Sequence, residues 1–175
     1  DDGEIEPNAP EVPTWSSLER LNLEAGLRHI WNLSFVKDVV FPNVRDLRVT
    51  KCTQAFASKM IEHYDHLFPA LKKLDYSFLE ASDPDGSLQL QTYLLLIEAG
   101  FTDKLDSLYS YLNANRCSEE VLAGWVGVMK DEAIPEEWRR LVGQGIFSYA
   151  SKETLTRVAT ALELGLKSRW TKQDL

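Results

Sequence analysis

The sequence has few of the residues that would indicate covalent cross-linking, metal binding or membrane insertion. Its 175 residues include two cysteines, Cys52 and Cys117, and three histidines. Two cysteines cannot form a disulfide framework or a cysteine-based metal cluster. The longest apolar run, residues 93–97, is far shorter than the roughly 20 residues needed to cross a bilayer. We therefore expect no membrane insertion. The compartment stays open: the low cysteine content slightly favours a reducing, intracellular one, cytoplasmic or nuclear, and secretion is the alternative.

Basic residues are also scarce, with 19 Lys and Arg against 27 Asp and Glu, which gives a net charge of −8. Nucleic-acid binding requires clustered Lys and Arg that displace counterions from phosphates. The basic groups present, such as Lys72-Lys73 and Arg139-Arg140, are pairs, so we expect no nucleic-acid partner. Five of the acids lie in the first twelve residues, where there is no Lys or Arg. Residues 1–14 are accordingly predicted to be an acidic, flexible tail.

Signatures of catalysis are missing as well. The sequence contains no G-x-S-x-G elbow, no phosphate-binding loop, no G-x-G-x-x-G motif and no H-E-x-x-H motif. His63 and His66 are three residues apart on a predicted helix and could share a metal ion with Glu62 or Asp65. A catalytic zinc needs three protein ligands, and no third histidine or paired cysteine completes the set. The sequence favours a non-enzymatic protein without metal or cofactor, and a metal-dependent enzyme using His63 and His66 is a remote alternative.

A motif of apolar and polar residues occurs three times near the start of the chain. Each copy has an aromatic residue, two spacers, and apolar residues at the next position, three later and two later again. The period is 26 residues from Leu21 to Leu47 and 27 residues from Leu47 to Leu74. Repetition at this spacing is typical of stacked repeats. The three copies cover residues 15–23, 41–49 and 68–76. Their pattern, L-x-x-L-x-L, resembles the leucine-rich repeat.

Each repeat is predicted to be a short strand followed by a returning helix. Residues 53–67 have apolar side chains at helical spacing, and Phe68-Pro69 ends that helix because proline disfavours helix at the residue before it. Cys52 is expected to be a small core residue where the strand ends. In these units, a Phe-Pro pair precedes the strand and a cysteine ends it. Such units resemble the repeats that follow F-box motifs in ubiquitin-ligase substrate receptors, and those of plant immune receptors. The resemblance covers residues 15–82 and implies recognition of a protein partner.

The pattern changes after the turn signal at Asp83-Pro-Asp-Gly86. Residues 83–175 are predicted to be a helical segment of about five short helices that packs on the repeats as a cap. One of these helices is predicted to begin at Thr102 and continue through Leu112. We expect no fourth repeat, because Leu108 follows Leu74 by 34 residues. Three tryptophans lie on apolar helix faces and are expected in the core: Trp125, Trp138 and Trp170.

The predicted fold class is therefore α/β, with a leucine-rich-repeat-like N-terminal half and an α-helical C-terminal half in one continuous folded unit. The alternative is an all-α bundle or solenoid, because the spacing of Leu18, Leu21 and Ala25 also fits a helix. Periodicity alone cannot separate a short strand from a helical turn.

The leading functional hypothesis is a protein-interaction module, possibly for substrate recognition within a larger protein. In leucine-rich repeats, the residues between the inward-pointing leucines form an open binding surface. Here that surface has mixed charge, which suits a folded protein partner better than a polyanion. The alternative is an all-helical scaffold or a secreted effector-like protein, in which Asp1 would mark the removal of a signal peptide. The predicted binding residues are Arg20, Asn22, Glu24, Asp46, Arg48, Thr50, Lys73, Asp75 and Ser77.

Overall fold

The structure, a computed structural model, describes residues 15–24 and 40–162. The protein is a mixed α/β protein, which confirms the α/β prediction for the first half and excludes the all-α alternative. The predictions for residues 1–14, for Ala25 and for Trp170 lie outside the described residues. In chain order the elements are β1 (Arg20–Glu24), β2 (Asp46–Cys52), α1 (Gln54–Leu67), β3 (Lys73–Phe78), α2 (Ser87–Glu98), α3 (Phe101–Lys104), β4 (Ser107–Ser110), a short 3-10 helix (Ala114–Arg116), α4 (Glu119–Lys130), α5 (Glu136–Tyr149) and α6 (Lys152–Ala161).

The strands form one parallel sheet in the order β1, β2, β3, β4. Leu21 pairs with Leu47, Leu47 with Leu74, and Leu74 with Leu108. Equivalent positions of the three copies of the motif are therefore neighbours in the sheet. Side chains alternate between the two faces of a strand, so these leucines share one face. Leu47, Leu74 and Leu108 are at most 1% exposed, and that face forms the core.

The aromatic residues that precede β2 and β3 also stack on each other. The rings of Phe41 and Phe68 are 5.3 Å apart and nearly parallel. Phe68 follows the last residue of α1, as the Phe-Pro pair predicts. At the other end of β2, Lys51 has a positive φ of 56° and the register shifts between Val49 and Cys52. This bulge turns Cys52 into the core, where the residue is 1% exposed, so its predicted role as a small core residue is confirmed.

Helix boundaries in the second half follow local sequence signals. Gly100, at φ 78°, comes two residues after the end of α2, where its missing Cβ permits the left-handed conformation. The Ser118 hydroxyl accepts a hydrogen bond from the Val121 N–H at the start of α4. The Ser151 hydroxyl accepts one from the Thr154 N–H at the start of α6. Both serines are therefore N-caps, a position that serine favours.

Two predictions for the second half are wrong. Residues 102–112 do not form one helix, because α3 ends at Lys104 and β4 begins at Ser107. β4 pairs with β3, so a fourth strand does follow the first three in register. Leu105, Leu108 and Leu112 are spaced as on one face of a helix. The structure buries all three side chains in another way, with Leu108 in β4 and the other two leucines on either side of that strand. The longer interval from Leu74 to Leu108 accommodates a turn and two helices instead of one.

Helix α5 lies beside β4 at the end of the sheet. The Trp138 indole N–H donates to the Asp106 carbonyl, just before β4, at 3.3 Å. The backbone of Gly145 passes close to the Ser110 carbonyl. Tyr93 of α2 contacts the Trp138 ring edge-on, with ring centroids 6.3 Å apart. Trp125 and Trp138 are each 1% exposed, which confirms that they belong to the core.

Candidate interaction surface

The sheet face opposite the core is called the polar face here. It consists of the outward side chains of β1 to β3 together with Tyr109 and Tyr111, which follow the same alternation in and just after β4. All nine predicted binding residues lie on this face, and each is exposed or half-buried. They are Arg20, Asn22, Glu24, Asp46, Arg48, Thr50, Lys73, Asp75 and Ser77.

Charges on the polar face alternate in sign from strand to strand. Arg20, Asp46 and Lys73 occupy paired positions on β1, β2 and β3, and the Arg20 Nε lies 3.7 Å from the Asp46 carboxylate. At the next outward-facing position of β2 and β3, the Arg48 Nε donates to the Asp75 carboxylate at 2.7 Å. Exposed ion pairs of this kind contribute about 0–1 kcal/mol each to stability. Their larger effect is that much of the charge on the face is already neutralised within the chain.

The pair between Arg48 and Asp75 lies at the centre of the polar face. Burial raises the pKa of the Asp75 carboxyl, and the hydrogen bond and charge of Arg48 only partly offset that rise. Conversely, the hydrogen bond and charge of Asp75 raise the pKa of the Arg48 guanidinium. Burial is the largest effect on the pKa of Asp75, whereas the hydrogen bond to Asp75 is the largest effect on the pKa of Arg48. This difference follows from exposure, because the Arg48 side chain is more exposed than that of Asp75. Asp75 is therefore a half-buried carboxylate whose charged form Arg48 stabilises.

We expect Arg48→Gln to raise the pKa of Asp75 further, because the substitution removes the two effects of Arg48 that lower it. A carboxyl group whose pKa is higher in the folded than in the unfolded state favours folding at low pH, and this contribution is lost as the pH rises through the folded pKa. The variant should therefore lose more stability relative to the wild type at neutral pH than at about pH 3. NMR titration of the Asp75 carboxyl and urea unfolding at both pH values measure this.

Arg20→Gln is the matched control, because the Arg20 side chain is 86% exposed and its pair with Asp46 is longer. This variant should change stability little at either pH. An Asp75 pKa that stays the same or falls in Arg48→Gln would contradict the coupling between the two residues.

A group of tyrosines at one end of the polar face was not predicted from the sequence. This tyrosine cluster consists of Tyr109, Tyr111 and Tyr149. The rings of Tyr111 and Tyr149 are 6.3 Å apart, and the two residues are 47% and 64% exposed. Tyr109 pairs with Asp75 across β3 and β4, so it lies beside the central ion pair. Burial first, and then the charge of Asp75, raise the pKa of Tyr109. Exposed, adjacent tyrosines are common anchors of protein interfaces because they bury a large area at low entropic cost.

The cluster is held by α5 and by the chain that follows β4. Tyr149 is the last residue of α5, and its carbonyl accepts a hydrogen bond from the Asn115 side chain at 2.9 Å. Tyr111 borders a cavity of about 180 Å³ at the carboxyl ends of β3 and β4. Ser77 also lines this cavity and connects it with the polar face. The tyrosine cluster and the nine predicted residues therefore form one continuous surface.

The two histidines of the remote metal-site alternative lie on α1. The His63 Nε2 is 3.3 Å from a carboxylate oxygen of Glu62. Within residues 15–24 and 40–162, no group of three or more His, Cys, Asp or Glu side chains is arranged to hold a metal ion. Burial raises the pKa of the Cys52 thiol to about 12 and that of Cys117 to about 11. Both thiols are therefore protonated at neutral pH and poor nucleophiles.

No protein-family model matches the chain, and neither a curated protein nor a solved structure matches it. Within the part of the chain that the structure describes, every helix is too short or too polar to cross a membrane.

Proposed function

We propose that the protein is a non-enzymatic protein-interaction module built from leucine-rich-repeat-like units, and that the polar face with its tyrosine cluster is the binding surface. The observation that carries this proposal is the continuity of the face. Parallel strands in register present regular rows of side chains to solvent, and the rows end at two exposed, adjacent tyrosines.

Three features support the comparison with leucine-rich repeats. The sequence period of 26 and 27 residues equals the interval between paired strand positions from Leu21 to Leu74. A helix returns the chain from β2 to β3 on the core side of the sheet. The aromatics before β2 and β3, Phe41 and Phe68, stack on each other as equivalent positions of stacked units should.

The two parts of the surface are suited to different roles in binding. Ion pairs such as Arg48 with Asp75 are already satisfied within the chain, so their main contribution is to orientation and selectivity. Tyr111 and Tyr149 have large exposed areas and are the better candidates for anchors. The mixed charge suits a folded protein partner better than a polyanion. As the resemblance to substrate receptors implies, recognition of a protein destined for modification is the more specific form of this proposal.

The test begins with affinity purification of partners on the full chain, followed by measurement of the dissociation constant of each recovered protein. Tyr111→Ser combined with Tyr149→Ser should weaken binding of the true partner by about 100-fold, the equivalent of about 2.7 kcal/mol. The melting temperature should change little, because both side chains are largely exposed.

Leu94→Ser combined with Leu95→Ser is the matched control. These two leucines of α2 are 44% and 47% exposed, so the control removes a comparable exposed apolar surface from a helix. It should leave partner binding unchanged. Equal affinity of the tyrosine variant and the wild type, or equal loss in both double variants, would reject the polar face as the binding surface.

A further inference from the structure

The cavity at the carboxyl ends of β3 and β4 has no role in the proposed function so far. Its volume of about 180 Å³ is below the roughly 300–1,000 Å³ of pockets that enclose small-molecule ligands. It has room for about six waters at roughly 30 Å³ each. Tyr111 borders the cavity, so a partner bound to the tyrosine cluster also lies beside it. This size and position suit a single side chain of a partner.

Aromatic and aliphatic side chains contribute the apolar part of the cavity lining. They are Phe78, Tyr111 and Leu112. Tyr111 is 47% exposed, and its ring is adjacent to that of Tyr149. Lysine and arginine pack their methylene stems on apolar surface while the charged end stays among polar groups. A cation over the face of a tyrosine ring is also attracted by the electron-rich ring.

The charged groups of the lining leave an excess of negative charge. They are two carboxylates, Glu80 and Asp83, against one guanidinium, Arg116. The Arg116 Nη1 lies 2.8 Å from the Glu80 carboxylate, so this pair is close to neutral. The oxygens of the buried Asp83 accept the N–H groups of Leu88 and Gln89, and each oxygen has a second lone pair. Backbone dipoles offset a full charge only in part, so the lining favours a cation.

The hydrogen-bonding groups of the lining favour an occupant that donates. The side-chain donors of Gln89 and Arg116 are already used within the chain. Asn113 also lines the cavity, and its side-chain oxygen is enclosed without a hydrogen-bond donor from the described residues. The amide of Asn113 can rotate about its last side-chain bond. An N–H group that enters the cavity therefore meets an acceptor that is unsatisfied in the isolated chain.

From these observations we infer that the cavity binds one basic side chain, lysine or arginine, of a protein partner. The methylene stem packs on Tyr111, and the cationic end lies among Glu80, Asp83 and Asn113. That a partner protein supplies this side chain rests on the proposed function. The preference of the cavity for a basic side chain is a property of the isolated chain.

The preference is tested by NMR titration of the full chain with blocked amino acids. Nα-acetyl-lysine methylamide and Nα-acetyl-norleucine methylamide have the same number of side-chain carbons, but norleucine has no ammonium group. The lysine probe should shift the signals of the Tyr111 ring and the Asn113 amide. It should bind at least about tenfold more tightly than the norleucine probe, because only lysine forms charge-assisted hydrogen bonds.

Nα-acetyl-arginine methylamide and Nα-acetyl-glutamate methylamide complete the series. The arginine probe should also bind more tightly than norleucine, and the glutamate probe should bind more weakly than either basic probe. Equal affinity for norleucine and both basic probes would mean that the cavity selects only an apolar stem, and would overturn the inference. Preferred binding of glutamate, or absence of saturable shifts with both basic probes, would overturn it as well.

Glu80→Gln and Glu98→Gln form a matched pair of variants. Each substitution removes one exposed negative charge, but of the two residues Glu80 alone is in the cavity lining. Glu80→Gln leaves one carboxylate against one guanidinium, so the dissociation constant of the lysine probe should rise about three- to fivefold. Glu98→Gln should leave it unchanged. Equal effects of the two variants would contradict a role of the lining charge.

Asn113→Leu tests the unsatisfied acceptor. The variant should weaken binding of the lysine probe by about fivefold to tenfold, because a hydrogen bond to the ammonium group is lost. Its melting temperature should stay the same or rise, because the substitution removes an enclosed oxygen that has no donor in the isolated chain. Unchanged affinity for the lysine probe would overturn the part of Asn113 in binding.

The probes require no partner, so the two proposals fail separately. Failure of both basic probes would overturn the inference about the cavity without bearing on partner binding by the tyrosine cluster. Conversely, specific binding of a basic probe would support the cavity preference even where the Tyr111 and Tyr149 double variant binds the partner as the wild type does. That second result would reject the polar face as the binding surface.

Discussion

Replacing Trp138 with alanine is expected to lower the free energy of unfolding by about 3–5 kcal/mol, the range typical of buried tryptophan and phenylalanine. The Trp138 side chain is fully enclosed and packs edge-on against Tyr93. Its loss leaves a cavity between α2, α5 and the start of β4. It also removes the indole N–H from the Asp106 carbonyl, which must then find another donor. Urea unfolding followed by far-ultraviolet circular dichroism measures the effect.

Trp15→Ala is the control for tryptophan removal as such, because Trp15 is 50% exposed. It should cost less than about 1 kcal/mol. Trp138→Phe should give an intermediate loss, because the ring contact with Tyr93 is retained while the hydrogen bond to Asp106 is not. A cost for Trp138→Ala similar to that for Trp15→Ala would contradict the packing of α5 on β4.

The second large effect is expected at Asp83, which is 7% exposed and lies where the chain turns from β3 into α2. One carboxylate oxygen accepts the Leu88 N–H at 2.9 Å and the other accepts the Gln89 N–H at 3.1 Å. Asp83→Ala leaves both donors unpaired at the start of the helix. We expect a loss of about 2–4 kcal/mol, because hydrogen bonds to charged groups are worth about 1.5–3 kcal/mol each and the two are coupled.

Asp83→Asn is the informative companion, because it keeps one acceptor oxygen and places an NH2 donor where the other oxygen accepted an N–H. It should lose roughly half as much stability as Asp83→Ala. The Gln89 side chain donates to the Ser110 hydroxyl at 2.6 Å and to the Tyr111 carbonyl. NMR signals of Tyr111 should therefore also move in Asp83→Ala. Equal losses in the two variants would mean that the paired hydrogen bonds do not hold α2 in place.

The first three strands were predictable because the same requirement, burial of one strand face, applies to each of the three copies of the motif. Each strand buries one face, so Leu21, Leu47 and Leu74 recur at the same point of their copies. Their alternation with polar residues also placed the nine predicted residues on one face. Repetition in phase resolved an ambiguity that a single copy leaves open, because one short apolar pattern fits either a strand or a helical turn.

The fourth strand was missed because β4 has neither the period nor the polar alternation of the others. Its outward positions include Tyr109, and Leu105, Leu108 and Leu112 match helical spacing. The conformation of β4 is determined by its pairing with β3. This contact joins residues far apart in the sequence, so the local residue pattern does not predict it. The tyrosine cluster was missed for a related reason. Tyr149 is 38 residues from Tyr111 in the sequence, and the two meet only because α5 packs beside β4.

The position of α5 determines how molecules of this protein can associate through their sheets. An unpaired strand edge is a template for addition of another strand, and proteins often protect such edges by covering them. In the described residues, β4 is flanked by α5, whereas β1 has a strand on one side only. Among the described residues, the β1 edge is the one without a flanking element, so pairing through β1 joins two molecules and leaves each β4 edge beside its α5. Edge association of these described elements therefore builds a dimer and does not extend into fibres.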